Sequence, residues 1–241
     1  MTSLGDIWSE TVWPEGWDVR HVTETGSTNT DLLAAVAAGT AGARTVLAAD
    51  HQTAGKGRLD RRWDAPPGAN LLVSIVVAPV PAVPAEATRR VGLAAVSAVR
   101  SVRPGAAVGL KWPNDVLFDG AKLAGILAQR SSDADAMIVG LGLNVAWAPP
   151  GAASLDGAVS PPALLARLLG ELDAQPPDVH GLYRSELLTL GEQVRVELPG
   201  DELLGTAVDV DGDGRLVVRD GGGVVHRLDV GDVVHLRADR S

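Results

Sequence analysis

The residues best suited to chemistry lie between positions 50 and 63, in the stretch DHQTAGKGRLDRRW. Four basic side chains occur in it, although the whole chain has a formal net charge of −9 at pH 7. Gly55 and Gly57 flank the first of these basic residues. Glycine lacks the Cβ that restricts backbone angles and keeps a chain away from a ligand. A cationic, glycine-rich loop on an acidic protein predicts a site for a small anion. The basic residues are Lys56, Arg58, Arg61 and Arg62.

Two common phosphate-binding motifs do not fit this basic loop. A Walker A loop needs a serine or threonine after its lysine, whereas Lys56 is followed by Gly57. A dinucleotide fingerprint that starts at Gly55 needs a third glycine where Asp60 stands. On this stretch alone, a solvated surface loop is an equally good interpretation, because surface loops commonly carry charge.

Four further motifs contain polar or glycine residues whose positions suit ligand binding. Each also has a purely structural explanation: a helix cap, a tight turn, a strand-end lysine that reaches water, or close strand packing. A helix N-terminus can in addition offer unpaired N–H groups to an anion or a carbonyl group. In chain order the motifs are GSTN (26–29), KWPND (111–115), AKLAGIL (121–127) and GLGLN (140–144).

Strands and helices must position these motifs. The spacing from Thr28 to Asp31 suits a capping box, and it predicts a helix that ends at Gly39. Periodicity at helical spacing predicts three further helices, over 84–102, 161–172 and 179–190. Apolar runs with β-branched residues predict strands at 44–50, 70–79 and 136–147, and strands joined by two turns within 108–130.

The two ends of the chain differ from this pattern. Residues 1–17 contain Trp8, Trp13 and Trp17, and we expect an irregular segment that packs on the main domain. After about residue 190, short alternating segments are separated by glycine turns, which favours a small antiparallel β-barrel. We therefore expect an α+β fold with two domains, residues 1–189 and 190–241.

Composition excludes several classes of function. The chain has 241 residues and no cysteine, so disulfides, thiolate catalysis and Cys-ligated zinc are excluded. Its net negative charge argues against broad nucleic-acid binding, which needs a basic face. The start MTSLGDIW does not resemble a signal peptide, and no apolar run is long enough to cross a membrane. We expect a cytoplasmic protein.

The motifs, taken in order, resemble those of the biotin protein ligase family, the biotin–acetyl-CoA-carboxylase ligases. The series is GSTN, HQTAGKGR…W with PPGANLLVSI, KWPND, KLAGIL and VGLGLNV, from about residue 20 to 147. The resemblance implies a class II synthetase-like catalytic domain, a mixed sheet packed by helices, followed by a small SH3-like β-barrel. No segment of DNA-binding size precedes the first motif, so we expect the stand-alone form of the ligase.

By this resemblance, the protein activates biotin with ATP to biotinyl-5′-AMP and passes biotin to one lysine of a biotin carboxyl carrier protein domain. ATP and Mg²⁺ are the implied cofactors, without a dedicated metal-ligand cluster, a nucleic acid or a membrane as partner. A monomer and a homodimer are both compatible with the sequence. Two alternatives stay open: a lipoate or octanoate ligase of the same superfamily, and a non-catalytic sensor of biotin or biotinyl-AMP.

The resemblance also implies roles for individual residues. Lys122 is expected to be the main catalytic cation, assisted by Arg58 and Lys56. The indole of Trp63 is expected to pack against the biotin tail or the adenine. The residues expected to bind biotin are Ser27, Thr28, Asn29, Gln52, Lys56, Gly57, Arg58, Trp63, Lys122, Gly125 and Gly142. The residues expected to bind the nucleotide are Lys111, Asn114, Lys122 and Asn144.

The basic loop departs from the family pattern G-R-G-R-x-G at two positions. Lys56 replaces the first arginine and loses its planar, two-pronged donor geometry. Asp60 replaces the last glycine, which adds negative charge and removes backbone freedom. We therefore expect this loop to hold the adenylate more weakly than a typical family loop.

The double variant Lys56→Arg with Asp60→Gly tests this expectation. It should release biotinyl-AMP more slowly than the wild type, because it regains both features of the family loop. Release can be followed after a single turnover by separating free from protein-bound biotinyl-AMP. An unchanged release rate would show that the two replacements do not weaken the hold.

Overall fold

The computed structural model describes residues 4–59, 61–198, 201–229 and 231–236, with side chains from residue 7 onward. Runs of aliphatic residues form a seven-stranded mixed sheet in the order β1-β2-β3-β7-β6-β5-β4. β1 and β2 run parallel, and the other neighbouring pairs are antiparallel. The strands are β1 Asp18–Thr25, β2 Thr45–Gln52, β3 Leu71–Val77, β4 Val108–Lys111, β5 Asp115–Phe118, β6 Ala121–Arg130 and β7 Met137–Leu143. The predicted mixed sheet is confirmed.

Helices cover both faces of this sheet. On one face, α3 buries Val91 and Val99 against the strands, and α4 packs on α3. On the other face, α2 places Leu32 and Val36 in a smaller cluster against strand residues that include Ile138. The helices are α1 Leu4–Glu10, α2 Thr28–Ala37, α3 Ala85–Val102, α4 Pro161–Asp173 and α5 His180–Glu186. None of the described helices combines the length and apolarity needed to cross a membrane.

The start of the chain is more regular than expected. It forms α1 rather than a wholly irregular segment. Trp8 is only 6% exposed, donates its indole N–H to Asp50 Oδ1 at 3.1 Å and stacks on His21. This buried contact fixes the start of the chain against β1 and β2, so the expected packing on the main domain is confirmed.

Two predicted helix ends were wrong. Ser27, not Thr28, precedes α2 as its N-cap, and it makes no side-chain capping bond. The Thr28 N–H is instead satisfied by Gln52 Oε1 at 2.8 Å, so a residue distant in sequence replaces the local capping box. The last predicted helix ends at Glu186 rather than 190, because the Leu188 N–H leaves helical pairing and donates to Leu110 O at 2.8 Å.

The segment after residue 190 forms a second, antiparallel sheet in the order β11-β10-β9-β8-β12. Its strands are β8 Gln193–Leu198, β9 Asp201–Val210, β10 Leu216–Asp220, β11 Val225–Leu228 and β12 Asp232–His235. β12 pairs with β8 at the edge opposite β11, and no pairing among the described residues joins β11 to β12. The expected small β-barrel is therefore not confirmed, because the described strands form an open sheet.

The second sheet docks beside the KWPND turn. The Trp112 indole N–H donates to Gly214 O at 2.9 Å, and the Trp112 backbone N–H donates to Thr189 Oγ1 at 3.0 Å. Arg89, only 6% exposed, donates to Gly212 O at 3.3 Å. One apolar core also continues from the first sheet into the second. This core and the hydrogen bonds together fix the second sheet next to the first.

His235 lies at this junction, with Nε2 3.3 Å from Thr189 Oγ1. Burial, and then the charge of Lys111, lower the pKa of its imidazole below 6.5, and Glu192 opposes them. As the pH falls below 6.5, the unfolded chain takes up this proton before the folded chain does. Folding stability should therefore decline over that range.

The variant His235→Gln cannot take up the proton, so this part of the decline should disappear. Urea unfolding at a series of pH values on both sides of 6.5 measures the effect. His51→Gln on the first sheet serves as the control and should keep the decline. If His235→Gln shows the same loss of stability as the wild type, the buried imidazole is not its source.

Candidate functional site

The basic loop folds back on itself as a short hairpin, here called the basic hairpin (residues 55–63). An isolated antiparallel bridge joins Lys56 to Arg62. The Gly57 N–H donates to Arg61 O at 2.7 Å, and the Trp63 N–H donates to Gly55 O at 3.0 Å. These bonds hold the basic side chains on a defined scaffold rather than on a loose loop. Asp60, one of the two departures from the family pattern, lies outside the described residues.

The two glycines of the hairpin let its two limbs pack closely against each other. Neither Gly55 nor Gly57 has a positive φ. A Cβ on Gly55 would lie 2.3 Å from Trp63 O, and one on Gly57 would lie 3.2 Å from Arg61 O. The close approach that glycine permits is thus between the two limbs of the hairpin.

A cavity of about 270 Å³ lies under the basic hairpin, against the strands of the first sheet. All but one of the site residues expected from the sequence line it. They are Ser27, Thr28, Asn29, Gln52, Lys56, Gly57, Arg58, Trp63, Asn114, Lys122, Gly125, Gly142 and Asn144. Residues far apart in sequence therefore meet in one place, and the motifs form a single site.

Lys111 is the exception. It ends β4 but does not line this cavity. Its charge instead acts on His235 of the second sheet. The structure thus places Lys111 at the junction of the two sheets.

The inner end of the cavity is a chain of polar side chains. Ser74 donates its hydroxyl proton to Asn29 Oδ1 at 2.6 Å. Because that proton is used, Thr28 must donate in its 2.7 Å contact with Ser74, so it shares its one hydroxyl proton between Ser74 and Gln52 Oε1, which lies 3.1 Å away. The Gln52 carbonyl oxygen accepts from the Thr28 N–H, so the amide group of Gln52 is its free end.

Asn29 is held from every side. Its amide donates to Gln129 Oε1 at 2.9 Å and to Leu127 O at 3.2 Å. A Cβ on Gly140 would lie 2.4 Å from Asn29 Oδ1, so this glycine is needed to seat the carboxamide. The groups left to face a ligand here are the Ser27 hydroxyl and the Gln52 amide, which have no partner among the described residues. The inner end therefore presents neutral hydrogen-bond donors.

Trp63 forms the middle of the site. Its indole lies over two glycines that are paired in register on β6 and β7. A Cβ would lie 2.4 Å from the indole at Gly142 and 3.1 Å at Gly125. These glycines make room for Trp63 itself. The Trp63 Nε1–H is buried and has no hydrogen-bond partner among the described residues, so it is available to an acceptor on a ligand.

The mouth of the cavity is charged. Lys122 Nζ lies 2.7 Å from Asp115 Oδ1 and 5.8 Å from the Trp63 ring centre. Arg58 donates to Asn114 Oδ1 at 3.1 Å, and Asn114 in turn donates to Ile126 O on β6. The KWPND turn thus orients both a lysine and an arginine toward one region of the cavity.

A residue of the second sheet completes the mouth. Asp232 on β12 lies 2.5 Å from Arg61 Nη2 and 3.4 Å from Arg58 Nη1. Lys56 points elsewhere and donates to Thr30 Oγ1 at 3.0 Å. Among the described residues that line the cavity, five are basic and three are acidic, on a chain whose net charge is −9. The site is therefore locally positive and suits an anionic group at its mouth.

Several contributing residues were not expected from the sequence. Ser74 lies inside an apolar strand, and only its polarity in that run could have marked it. Asp115 belongs to the KWPND motif but had no assigned role, and nothing in the sequence connects Asp232 with the hairpin.

Asn144, which was expected to bind the nucleotide, lines the cavity, but Asn70 and Ala153 O occupy its carboxamide.

Comparison with known proteins agrees with this architecture. The model of the biotin/lipoate A/B protein ligase family matches residues 23–144, and that of the biotin protein ligase C-terminal domain matches residues 189–236. A biotin–[acetyl-CoA-carboxylase] ligase of Mycobacterium tuberculosis is 45% identical, over 92% of this chain and 91% of that protein.

Two solved structures are similar in fold and sequence. Biotin protein ligase from Aquifex aeolicus, in complex with biotin and ATP, has a TM-score of 0.75 and 25% identity, covering 92% of this chain and 99% of that one. Biotin protein ligase from Leishmania major, in complex with biotinyl-5-AMP, has a TM-score of 0.64 and 26% identity, covering 90% and 100%.

These matches cover most of the chain. The resemblance inferred from the motifs is confirmed. The chain belongs to the biotin/lipoate A/B protein ligase family and carries the C-terminal domain of biotin protein ligases.

Proposed function

We propose that this protein joins biotin to AMP at the expense of ATP and then transfers biotin to a lysine of a biotin carboxyl carrier protein domain. One observation carries the proposal: a single cavity places neutral donors at its inner end and fixed cations at its mouth. Biotin has the matching polarity, with a neutral ureido ring at one end and a carboxylate at the other. The names of the relatives agree with this activity.

In the first step, a carboxylate oxygen of biotin attacks the α-phosphorus of ATP. An O–P bond forms while the bond to pyrophosphate breaks. Both reactants are anions, so they repel each other unless fixed cations hold them together. Lys122 and Arg58 lie at the mouth of the cavity and supply that charge, with Lys122 as the principal catalytic cation.

In the second step, the amine of the carrier lysine attacks the acyl carbon of biotinyl-AMP. An amide bond forms while the bond between the acyl carbon and the bridging oxygen breaks. AMP leaves with that oxygen, and one proton of the amine passes to water. Water must be kept away from the adenylate until the carrier arrives, because hydrolysis would waste it. The basic hairpin covers the cavity and serves this purpose.

The biotin ring occupies the inner end. The Ser27 hydroxyl and the Gln52 amide donate to the ureido carbonyl, while Thr28 and Asn29 hold these groups in place through the polar chain. The biotin tail runs beside Trp63, whose unpaired N–H donates to it or to the adenylate. The nucleotide lies toward Asn114 and Lys122.

Magnesium enters with ATP. Within the described residues there is no group of three or more His, Cys, Asp or Glu side chains that could hold a metal ion. Mg²⁺ usually keeps several waters and binds through substrate phosphates, so a complete protein cage is not required. Asn114, beside Arg58, suits contact with the phosphates or with their metal.

We also propose that residues 1–189 and 190–241 act as a catalytic and a C-terminal domain. The separate strand orders of the two sheets support this division. An SH3-like barrel for the second domain stays a prediction, supported by its short antiparallel strands.

Lipoate or octanoate would fit the inner end poorly. Neither has a hydrogen-bonding group at the end distant from its carboxylate. The Ser27 hydroxyl and the Gln52 amide would stay unpaired beneath the bound ligand, at a cost of about 1–3 kcal/mol for each group that the ligand shields from water. The polarity of the inner end therefore favours biotin.

Exchange of pyrophosphate into ATP tests the proposed activity, because the first step is reversible. Exchange should require biotin and should not occur with lipoate or octanoate. The absence of exchange in a protein that binds biotin would support the sensor instead, and exchange with lipoate alone would support the lipoate ligase.

Lys122→Ala should abolish most of the exchange. Loss of one group that stabilises charge in the transition state typically slows a reaction about 10²–10³-fold. Arg130→Ala, at the exposed end of the same strand, is the matched control and should react normally. Urea unfolding would confirm that both variants are folded, and near-normal exchange by folded Lys122→Ala would refute the assignment.

A further inference from the structure

The basic hairpin is tied to the second sheet by a single carboxylate. Asp232 begins β12, and its two oxygens face the two arginines of the hairpin. Its contact with Arg61 is close, at 2.5 Å, whereas its contact with Arg58 is loose, at 3.4 Å. Gly231 adds its carbonyl oxygen at 3.4–3.5 Å from Arg58. One side chain thus bridges both arms of the hairpin tip.

Asp232 is a rigid anchor. β12 pairs with β8, with Asp232 opposite Glu197. The second sheet is itself fixed to the first through Trp112 and the buried Arg89. The side chain of Asp232 is only 21% exposed, so its ion pairs are less screened by water than pairs on the open surface. A hairpin held by this residue cannot open without breaking ion pairs.

The unequal contacts suggest how the anchor works when the site is loaded. A guanidinium binds a phosphate through charge-assisted, often two-pronged hydrogen bonds, which are stronger than a loose ion pair. A phosphate in the cavity can therefore take Arg58 from Asp232. Arg61 is further from the centre of the site, with a side chain that is 65% exposed, and it can stay on the carboxylate.

We propose that Asp232 is a positioning residue that keeps the basic hairpin closed over the adenylate through Arg61, while it yields Arg58 to the phosphate. This inference rests on the proposed function for the identity of the adenylate. Asp232 does not touch the reacting atoms. It controls how long biotinyl-AMP stays in the site before a carrier arrives.

The first measurement needs no substrate. Trypsin cleaves after the basic residues of the hairpin, and cleavage requires the hairpin to open. Asp232→Asn should be cut there about three- to tenfold faster than the wild type, as expected for the loss of a partly buried ion pair. Glu197→Gln, the residue opposite Asp232, is the matched control and should be cut at the wild-type rate. Equal cleavage of Asp232→Asn and wild type would overturn the proposal.

The second measurement uses the full chain loaded by a single turnover with biotin and ATP. Asp232→Asn and Arg61→Gln should each release biotinyl-AMP about three- to tenfold faster than the wild type. The double variant should release it no faster than either single variant, because both remove the same contact. A general loss of structure would not produce this dependence.

Other outcomes are equally decisive. Additive effects of the two substitutions, or unchanged release in Asp232→Asn, would overturn the proposal. If the wild type makes no biotinyl-AMP, the proposed function fails. The cleavage rates then still decide whether Asp232 holds the hairpin.

Discussion

Pairing between carboxylates and the cations of the site is the interaction on which this structure depends. Catalysis by adenylation needs positive charge where a carboxylate meets a phosphate, on a chain whose net charge is −9. Long basic side chains are mobile unless something holds them. Asp115 holds Lys122, and Asp232 holds Arg58 and Arg61. The acidic partners reduce the local positive charge. They also hold the cations in positions where an anionic substrate can replace a carboxylate as their partner.

Close packing around glycines gives the site its shape. Gly140 seats Asn29, and Gly125 with Gly142 seats the indole of Trp63. Extra atoms in a well-packed region usually cost about 1–3 kcal/mol, because neighbours are forced from their preferred positions. A side chain at any of these glycines would displace Asn29 or Trp63, the residues that shape the cavity. The same packing joins the neutral inner end to the charged mouth in one continuous cavity.

Much of the fold could be predicted from the sequence, because local apolar patterns determine the strands. The order of the motifs indicated the family, and through it most of the residues that line the cavity. The features that local patterns did not reveal depend on distant residues. Gln52 satisfies the start of α2 in place of a local cap, and Lys111 ends β4 without lining the cavity. The glycines of the hairpin allow contact between its own limbs. The pairing of Arg58 with Asp232 joins residues 174 positions apart, which no local pattern could reveal.

The central claim is that this cavity activates biotin and delivers it to a carrier lysine. The most direct measurement is the mass of a purified apo biotin carboxyl carrier domain after incubation with this protein, biotin and Mg-ATP. The account predicts the addition of one biotinyl group, dependent on ATP and absent when the acceptor lysine of the carrier is replaced by methionine. An unmodified carrier, despite formation of biotinyl-AMP, would contradict it.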